Sequence, residues 1–371
     1  MASDVILVIV VGTALAFDFT NGFHDTANVV ATAISTRAVP PRLAVTLASM
    51  LNFVGAFVSL KVAATVGKGI VDPGHIAGSH GMTIVFAGLV GAIAWNLATW
   101  WFGLPSSSSH ALIGGLVGSA LAASGTAAVD GNGLLSKVVV PALIAPVLAF
   151  AVAGVAILVI YRIVGRLRPG LVTRGFKLGQ LGSAGLLALS HGTNDAQKTM
   201  GILTLALVAH GDISADKFAV PQWVVISAAG SIALGTYSGG WRIIKTMGSR
   251  IIKMDAAQGF AAQGAGSAVI LAASHFGYPL STTHVINGGI MGAGAAKRLS
   301  AVRWGVAGNI VVAWILTLPC AAAGGALVYG VTRIFGKGVT GPIVVSVLIL
   351  IASFMLFTRR ARGTAAAAVP A

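Results

Sequence analysis

Long apolar runs separated by short polar segments dominate this chain of 371 residues. A helix rises about 1.5 Å per residue, so a run of about 20 residues can cross a hydrocarbon core about 30 Å thick. The runs are continuous and do not alternate with polar residues, which is typical of membrane helices and not of barrel strands. Runs that are long enough, or nearly so, occur at 43–66, 138–160, 222–240, 304–330 and 341–357. The pattern predicts an all-α integral membrane protein.

Composition supports this prediction and narrows the classes of function. Charged residues make up 9% of the chain and hydrophobic residues 56%, with a mean hydropathy of +0.90. The net charge of +15 comes from basic residues scattered through short loops without interleaved aromatics, so no nucleic-acid partner is expected. Residues 5–17 lack a preceding positive charge and a cleavage site, which predicts a first membrane helix and not a cleaved signal. The single Cys320 excludes an internal disulfide.

Two pairs of segments resemble each other within the chain. FTNGFHDTAN at 19–28 aligns with LSHGTNDAQK at 189–198, and both contain a glycine followed three residues later by an aspartate. LPSSSSHALIGGLVG at 104–118 aligns with YPLSTTHVINGGIMG at 278–292, with a shared proline, a shared histidine and three shared glycines. The offsets of 170 and 174 residues are nearly equal, so the two matches indicate an internal duplication. We expect the repeated glycines to allow close helix packing.

The positions of Lys and Arg indicate that the two copies are inverted. Of the 24 basic residues, 17 fall in the segments 37–42, 161–177, 241–258, 297–303 and the tail from 359 onward. Positive residues mark cytoplasmic loops, so we place these segments in the cytoplasm. The number of full crossings between the first helix and its copy near 179–210 is then odd, and the copies run in opposite directions.

The predicted organisation follows from this orientation. It comprises a first repeat at 1–160 with a hairpin at 82–123, a basic cytoplasmic linker at 161–177, a second repeat at 178–330 with a hairpin at 259–296, and an extra membrane helix with a short basic tail at 331–371. Each hairpin is either re-entrant or made of two full spans. The proline and serine cluster at the turn favours a re-entrant hairpin whose tip lines an internal cavity.

This architecture predicts a class of function. Inverted-topology repeats with broken helices and two re-entrant helical hairpins are typical of secondary transporters, whose substrate site lies near the membrane midplane. A membrane enzyme acting on phosphorylated lipids is a remote alternative. Such an enzyme needs clustered acids for a metal or an activated nucleophile, whereas the acids here are single and symmetric.

Asp25 and Asp195 are the leading candidates for that site. An aspartate at the centre of a membrane helix costs about 2.5–3.5 kcal/mol, so the pair is expected to face a cavity. Each could bind a coupling cation, carry the coupling proton or accept a hydrogen bond from a protonated substrate oxygen. A buried ion pair between Asp195 and Lys198 is the alternative, but Asp25 has Asn28 at the equivalent position. Asp18 either lines the same cavity or caps a helix break.

Other polar side chains surround the two aspartates. They could contact a ligand or instead satisfy backbone groups freed at a broken helix. These candidates are Asn21, His24, Asn28, His191, Asn194 and Lys198.

The hydroxyl clusters predict an anion site. Each follows a proline and precedes an apolar, glycine-rich run, which is where a helix should begin. The free N–H groups and the positive end of the helix dipole would then attract an oxyanion. Ordinary N-capping is the alternative, and the same hydroxyls can do both. The candidate anion contacts are Ser107, Ser108, Ser109, Ser281, Thr282 and Thr283. His110 and His284 follow directly and could either carry a proton near neutral pH or pack structurally.

With these motifs in view, the chain resembles the inorganic phosphate transporter (PiT) family from about residue 10 to residue 330. The segments NGFHDTANVVATAISTRA, SHGTNDAQKTMGI and FGLPSSSSHALIGG carry the resemblance. It implies uptake of inorganic phosphate across the plasma membrane by symport, a homodimer, and an elevator-like or rocking alternation. It also implies that Asp25, Asn28, Asp195 and the hydroxyls of the hairpin tips bind the ligands, and that no cofactor is needed.

The chain departs from the sodium-coupled pattern of the family, which is similar to G-A-N-D-V-A-N in both halves. His24 precedes the first aspartate, and Gln197 and Lys198 replace the small residue and amide of the second copy. A fixed positive charge at Lys198 disfavours Na⁺, so we expect proton coupling, with Na⁺ at Asp25 and Asp195 as the alternative. The bacterial low-affinity branch that resembles this chain is associated with proton-coupled uptake, often of a neutral complex of phosphate with a divalent metal.

Sulfate is the rival substrate, because some relatives in the family carry it and both anions are tetrahedral. Phosphate near neutral pH keeps an O–H group that a carboxylate can accept, whereas sulfate does not. Two aspartates at the site therefore favour phosphate.

Overall fold

A computed structural model describes residues 2–71, 78–336 and 338–351. These residues form fourteen α-helices: α1 (Ala2–Ser35), α2 (Pro41–Gly55), α3 (Lys61–Lys68), α4 (Gly78–Phe102), α5 (Ser108–Ser124), α6 (Gly131–Leu134), α7 (Val140–Val164), α8 (Pro169–His210), α9 (Gln222–Ser238), α10 (Trp241–Lys245), α11 (Ala256–His275), α12 (Thr282–Ala295), α13 (Trp304–Ile334) and α14 (Thr340–Ile351). A π-helical turn, Leu135–Val139, joins α6 to α7, and another, Thr246–Arg250, follows α10. No β-strand forms among the described residues. The basic tail from 359 lies outside them.

The order of elements occurs twice. A long helix, a broken helix and a helical hairpin are followed by another long helix, first as α1, α2–α3, α4–α5 and α6–α7, and again as α8, α9–α10, α11–α12 and α13. The all-α membrane fold with repeats, broken helices and hairpins is therefore confirmed. Four helical stretches of the described chain are long and apolar enough to cross a membrane: Ser3–Ser35, Gly78–Phe102, Gly131–Val164 and Trp304–Ile334.

The helix breaks lie elsewhere than the sequence indicated. The run 43–66, predicted as one crossing helix, is interrupted between α2 and α3 at 56–60. The side chain of Gln197 on α8 accepts hydrogen bonds from the backbone N–H of Val62 at 2.8 Å and of Ala63 at 3.3 Å, and so caps the start of α3. A cap supplied by another helix leaves no trace in the local hydrophobic pattern.

The two aspartate motifs do not break their helices. Both α1 and α8 run without interruption through Asp25 and Asp195, which corrects the expectation of a break there. Hydroxyl side chains bond backward within each helix: Thr26 Oγ1 donates to the carbonyl of Gly22 at 2.7 Å. Because the two helices are unbroken here, no lost backbone bonds need compensation, and Thr26 Oγ1 also lies 3.1 Å from the carbonyl of Thr236 on α9.

The hairpin arms are exchanged between the repeats. The arm α5 packs mainly against α13, and its counterpart α12 packs mainly against α7. Glycine permits both contacts, because a Cβ atom at Gly118 would overlap the carbonyl oxygen of Ala322, and one at Gly292 would overlap that of Phe150. The predicted role of these glycines in close packing is confirmed.

The apolar interior forms two separate cores. The first contains the start of α1 up to Phe17 and the end of α8 from Ala196 onward, together with residues of α3–α5 and α9. The second contains the end of α1 from Ala27 and the part of α8 up to Ala188, together with residues of α2, α7, α11 and α12. Both aspartate motifs lie where one core ends and the other begins.

Candidate functional site

The middle of α1 and the middle of α8 meet the tips of both hairpins between the two cores. Asp25, His191 and Asp195 each place one ligand atom within 4.8 Å of the others, and all three are buried. The two symmetry-related carboxylates therefore belong to one site. Two carboxylates and an imidazole are a donor set that could hold a cation.

The carboxylate of Asp25 is surrounded by donors. Ser108 Oγ donates to Oδ2 at 2.7 Å, and Thr283 Oγ1 lies 3.5 Å from Oδ1. His24 Nδ1 lies 2.7 Å from Oδ1, and its Nε2 lies 3.2 Å from Thr99 Oγ1. Both hairpins thus contribute a hydroxyl to this aspartate.

The carboxylate of Asp195 has a different set of partners. The ammonium of Lys198 forms a buried ion pair with Oδ1. Thr282 Oγ1 donates to Oδ2 at 3.0 Å, and His191 Nε2 also lies 3.0 Å from Oδ2. His191 Nδ1 in turn lies 3.2 Å from Asn52 Oδ1. The second half therefore carries a fixed positive charge that the first half lacks.

Asn28 and Lys198 occupy equivalent positions, and each reaches the hairpin of the other repeat. Asn28 Nδ2 donates to Thr283 Oγ1 at 2.9 Å. Lys198 Nζ donates to Ser109 Oγ and, at 2.7 Å, to the carbonyl of Leu280. Neither repeat can form the site alone. The Lys198 ammonium lies among a carboxylate, a hydroxyl and a carbonyl oxygen, the same kinds of oxygen that coordinate a hard cation.

The hairpin tips place two helix N-termini beside the carboxylates. The hydroxyl of Ser107 accepts from the backbone N–H of His110 at 3.1 Å, and that of Ser281 accepts from His284 at 3.3 Å. These are N-caps of α5 and α12, at the predicted positions. The positive ends of both helix dipoles therefore point into the region between the two aspartates.

Two of the candidate histidines face away from the aspartates. The rings of His110 and His284 contact each other edge to face with centroids 4.7 Å apart, and His284 stacks on Trp314 at 4.1 Å. Both border an apolar cavity of about 330 Å³ between α7 and α13. Their contacts are therefore mainly aromatic and apolar, and the carbonyl oxygen of Ala142 lies 3.5 Å from His284 Nδ1.

The two candidate amides at the edge of the site differ in their contacts. Asn194 Nδ2 donates to Ser274 Oγ at 2.8 Å and to the carbonyl of Tyr278 at 3.1 Å, which ties α8 to α11 and the turn that follows it. Asn21 Oδ1 is buried without a hydrogen-bond partner among the described residues, and the buried carboxylate of Asp18 lies beside the side chains of Thr199 and Asn21.

Sequence reasoning missed some residues that support the site. Asn52 on α2 contacts His191 and donates to Thr236 Oγ1 on α9 at 2.8 Å. Thr99 on α4 accepts from Ser106 Oγ at 2.7 Å while contacting His24. A lone polar residue inside an apolar run was the available signal for Asn52, whereas Thr99 gave no signal because threonine is common in such runs.

Every candidate site residue is buried, with at most 4% of its surface exposed. Lys198 is 1% exposed despite its long charged side chain. A buried ammonium is stable only when it is paired and hydrogen-bonded, which its three oxygen partners provide. The site is closed to both ends of the protein in this conformation.

Comparisons with known proteins agree on one family. The phosphate transporter family matches residues 21–171 and 166–325. A protein of Mycobacterium tuberculosis described as "Probable low-affinity inorganic phosphate transporter" is 49% identical over 357 residues, covering 96% of this chain and 84% of the relative. A Bacillus subtilis protein with the same description is 42% identical over 325 residues, covering 88% of this chain and 96% of the relative. A solved structure described as "The sodium-dependent phosphate transporter" matches with a TM-score of 0.81 and 26% identity, covering 89% of this chain and 99% of that one.

Proposed function

Because this chain belongs to the phosphate transporter family, we propose that it imports inorganic phosphate across the plasma membrane by symport with protons. It is a multi-pass membrane transporter and not an enzyme. The observation that carries the proposal is the meeting of Asp25 and Asp195 with two helix N-termini in one closed site. We assign ligand binding to the buried polar groups of that site.

The chemistry of the site suits a partly protonated oxyanion. The helix N-termini and the Lys198 ammonium supply positive potential for the anion's charged oxygens. The carboxylates of Asp25 and Asp195 accept from an O–H group, which phosphate retains near neutral pH and sulfate lacks. Sulfate would leave both carboxylates facing an unprotonated anion, so phosphate is the preferred substrate.

Lys198 supports proton coupling. Its ammonium occupies the position among Asp195, Ser109 and Leu280 where a sodium ion would find oxygen ligands. A sodium ion there would meet a like charge at short range in a medium of low dielectric constant. Sodium coupling, the property named for the solved relative, is the alternative for this chain.

Two finer features complete the proposal. A divalent metal could enter with phosphate as a neutral complex, held by Asp25, His191 and Asp195, whose ligand atoms lie within 4.8 Å of one another. The protein would work as a homodimer, as the family resemblance implies.

The decisive experiment is uptake of labelled phosphate into proteoliposomes, with pH, sodium and competing sulfate varied independently. We expect an inward proton gradient to drive uptake without sodium, and excess sulfate to compete weakly. Strict dependence on sodium would overturn proton coupling, and equal competition by sulfate would overturn the substrate assignment. The metal complex requires uptake of labelled metal in step with phosphate, and the dimer requires a dimeric mass in membranes.

A further inference from the structure

A file of polar residues leads from the site toward the basic end of the protein. Asn28 and Thr32 on α1, and Thr36 directly after its last residue, are spaced four residues apart. The backbone N–H of Thr36 still donates to the carbonyl of Thr32, so the three side chains lie on one side of the helix. The file extends about 12 Å from Asn28 to Thr36, at about 1.5 Å per residue. All three residues are buried within the second apolar core, where unsatisfied polar groups are costly.

Two hydrogen-bonded layers close this file. In the inner layer, Gln263 Nε2 donates to Thr32 Oγ1 at 2.6 Å, and Ser183 Oγ donates to Gln263 Oε1 at 2.7 Å. In the outer layer, Thr36 Oγ1 donates to Gln180 Oε1 at 2.9 Å. Each layer joins α1 to α8, directly or through α11, so separating these helices would expose groups that can bind water or an anion.

Among the described residues, the equivalent positions of the second repeat carry no such file. The positions on α8 that correspond to Thr32 and Thr36 in the repeat are Ile202 and Ala206, which are buried in the first apolar core. The polar file is therefore specific to the basic end. It is not a general requirement of packing the repeated helices.

The outer layer opens into a cavity of about 580 Å³. Thr36 and Ala256 line it, and Gln180 Nε2 donates to the carbonyl of Ala256 at 2.7 Å, so the outer layer borders the cavity directly. Further hydroxyl groups come from Ser35, Thr173 and Ser249. The cationic residues that line this basic pocket are Arg37, Lys177, Lys253 and Arg303.

The charges of the basic pocket are not compensated. None of its four cationic side chains forms an ion pair within the part of the chain that the structure describes, and Arg303 only contacts the carbonyl of Ser249 at 3.4 Å. The one acid in the lining, Asp255, is held by Tyr161 at 2.8 Å and by Lys297 at 3.4 Å. Four like charges around a hydroxyl-lined concavity create a positive potential that concentrates anions.

We propose that the basic pocket is a second site for a phosphate group, from which substrate leaves to the predicted cytoplasmic side, and that the two hydrogen-bonded layers form its gate. Arginine and lysine with hydroxyl donors are the groups that bind phosphate oxygens. The release role rests on the proposed function, whereas affinity of the pocket for a phosphate group does not.

Binding of labelled inorganic phosphate to the full-length protein in phosphatidylcholine liposomes tests the pocket apart from the central site. The double variant Asp25→Asn/Asp195→Asn removes the central site. We expect it to retain weak, salt-sensitive binding of phosphate in the basic pocket. Adding Lys177→Gln, Lys253→Gln and Arg303→Gln to it should lower this residual affinity about tenfold or more. The matched control is Arg250→Gln, an exposed residue of the same end that does not line the pocket.

Transport in oriented vesicles tests the release role. The triple variant without the aspartate changes should raise the half-saturating phosphate concentration about tenfold at the basic face and leave it within about twofold at the opposite face. Residual binding that survives the triple variant, or that falls equally with Arg250→Gln, would overturn the pocket. If phosphatidic acid in the liposomes occupies the pocket while free phosphate does not bind, the ligand is a lipid headgroup and the release role fails. If the unmodified protein binds phosphate in the basic pocket but not in the central site, the proposed function fails and the pocket stands.

Discussion

Lys198 is the side chain at which the two halves of the site differ most. Replacing it with alanine leaves the buried carboxylate of Asp195 without its ion-pair partner, which costs about 3–5 kcal/mol of stability. We expect Lys198→Ala to lower the melting temperature and to abolish proton-driven uptake. Lys198→Asn, which restores the amide found at Asn28, should instead gain stimulation by sodium. Unchanged proton-driven uptake in Lys198→Asn, with no response to sodium, would show that the ammonium does not choose the coupling ion.

The two aspartates give a matched pair of tests. Asp25→Asn and Asp195→Asn keep the size of each side chain and remove its charge, so each variant should lose at least about 99% of uptake. Asp195→Asn also leaves the buried Lys198 ammonium without its counter-charge, so this variant should melt at a lower temperature than Asp25→Asn. Exposed Asp216, in a short 3₁₀ turn between α8 and α9, is the control, and Asp216→Asn should transport normally. Initial rates in proteoliposomes, with expression and melting temperature beside them, make the comparison. Full uptake in either site variant would remove that residue from the mechanism.

At the scale of residues, the sequence predicted which side chains belong to the site better than it predicted their contacts. Charged and hydroxyl residues inside apolar runs are conspicuous because the membrane makes them costly, so Asp25, Asp195 and the hydroxyl clusters could be predicted. The distant partners could not, because Asn52 and Leu280 reach the site only when separate helices pack. The backbone carbonyl of Leu280 in particular has no residue-type signal at all.

At the scale of elements, close helix crossings depend on the glycine of each aspartate motif. A Cβ atom at Gly192 would overlap backbone atoms of Asn52, where α8 crosses α2. Gly192→Ala should therefore force the helices apart, cost about 1–3 kcal/mol and reduce uptake. Gly182 lies on the same helix with open space around it, so Gly182→Ala should be neutral or stabilise by up to about 1 kcal/mol. Thermal unfolding of both variants is the measurement, and equal melting temperatures would contradict the crossing argument.

Helix lengths followed the hydrophobic pattern better than helix breaks did. The long runs became α7 and α13, and the hairpin tips fell at the predicted prolines. The break between α2 and α3 was missed because hydrophobicity continues across 56–60, and the start of α3 is capped from another helix by Gln197. The hydrophobic pattern of a segment shows which residues of a helix are buried. It does not show which distant residue will cap the end of that helix.

At the scale of the whole molecule, a closed site requires large movement for transport, and the Thr32–Gln263 layer must then separate. In a Cys320→Ser background, Thr32→Cys/Gln263→Cys should react with a short bis-methanethiosulfonate crosslinker, which forms disulfides that a reductant can break, because the native side chains are in contact. We expect crosslinking to stop uptake, reductant to restore it, and phosphate to bind still from the opposite face. Each single cysteine treated with the same reagent is the control. Uptake that continues after complete crosslinking would show that this layer does not open.

The exchange of α5 and α12 between the repeats bears on how such a protein could have arisen. Each arm rests on the last long helix of the other repeat, so a lone half would expose an apolar arm and leave a groove empty. A half-length ancestor would therefore have needed a second, identical chain inserted in the opposite direction. The hairpin arm of each chain would have packed against the last long helix of the other chain. Gene fusion would then have allowed each copy to diverge, as the difference between Asn28 and Lys198 at equivalent positions illustrates.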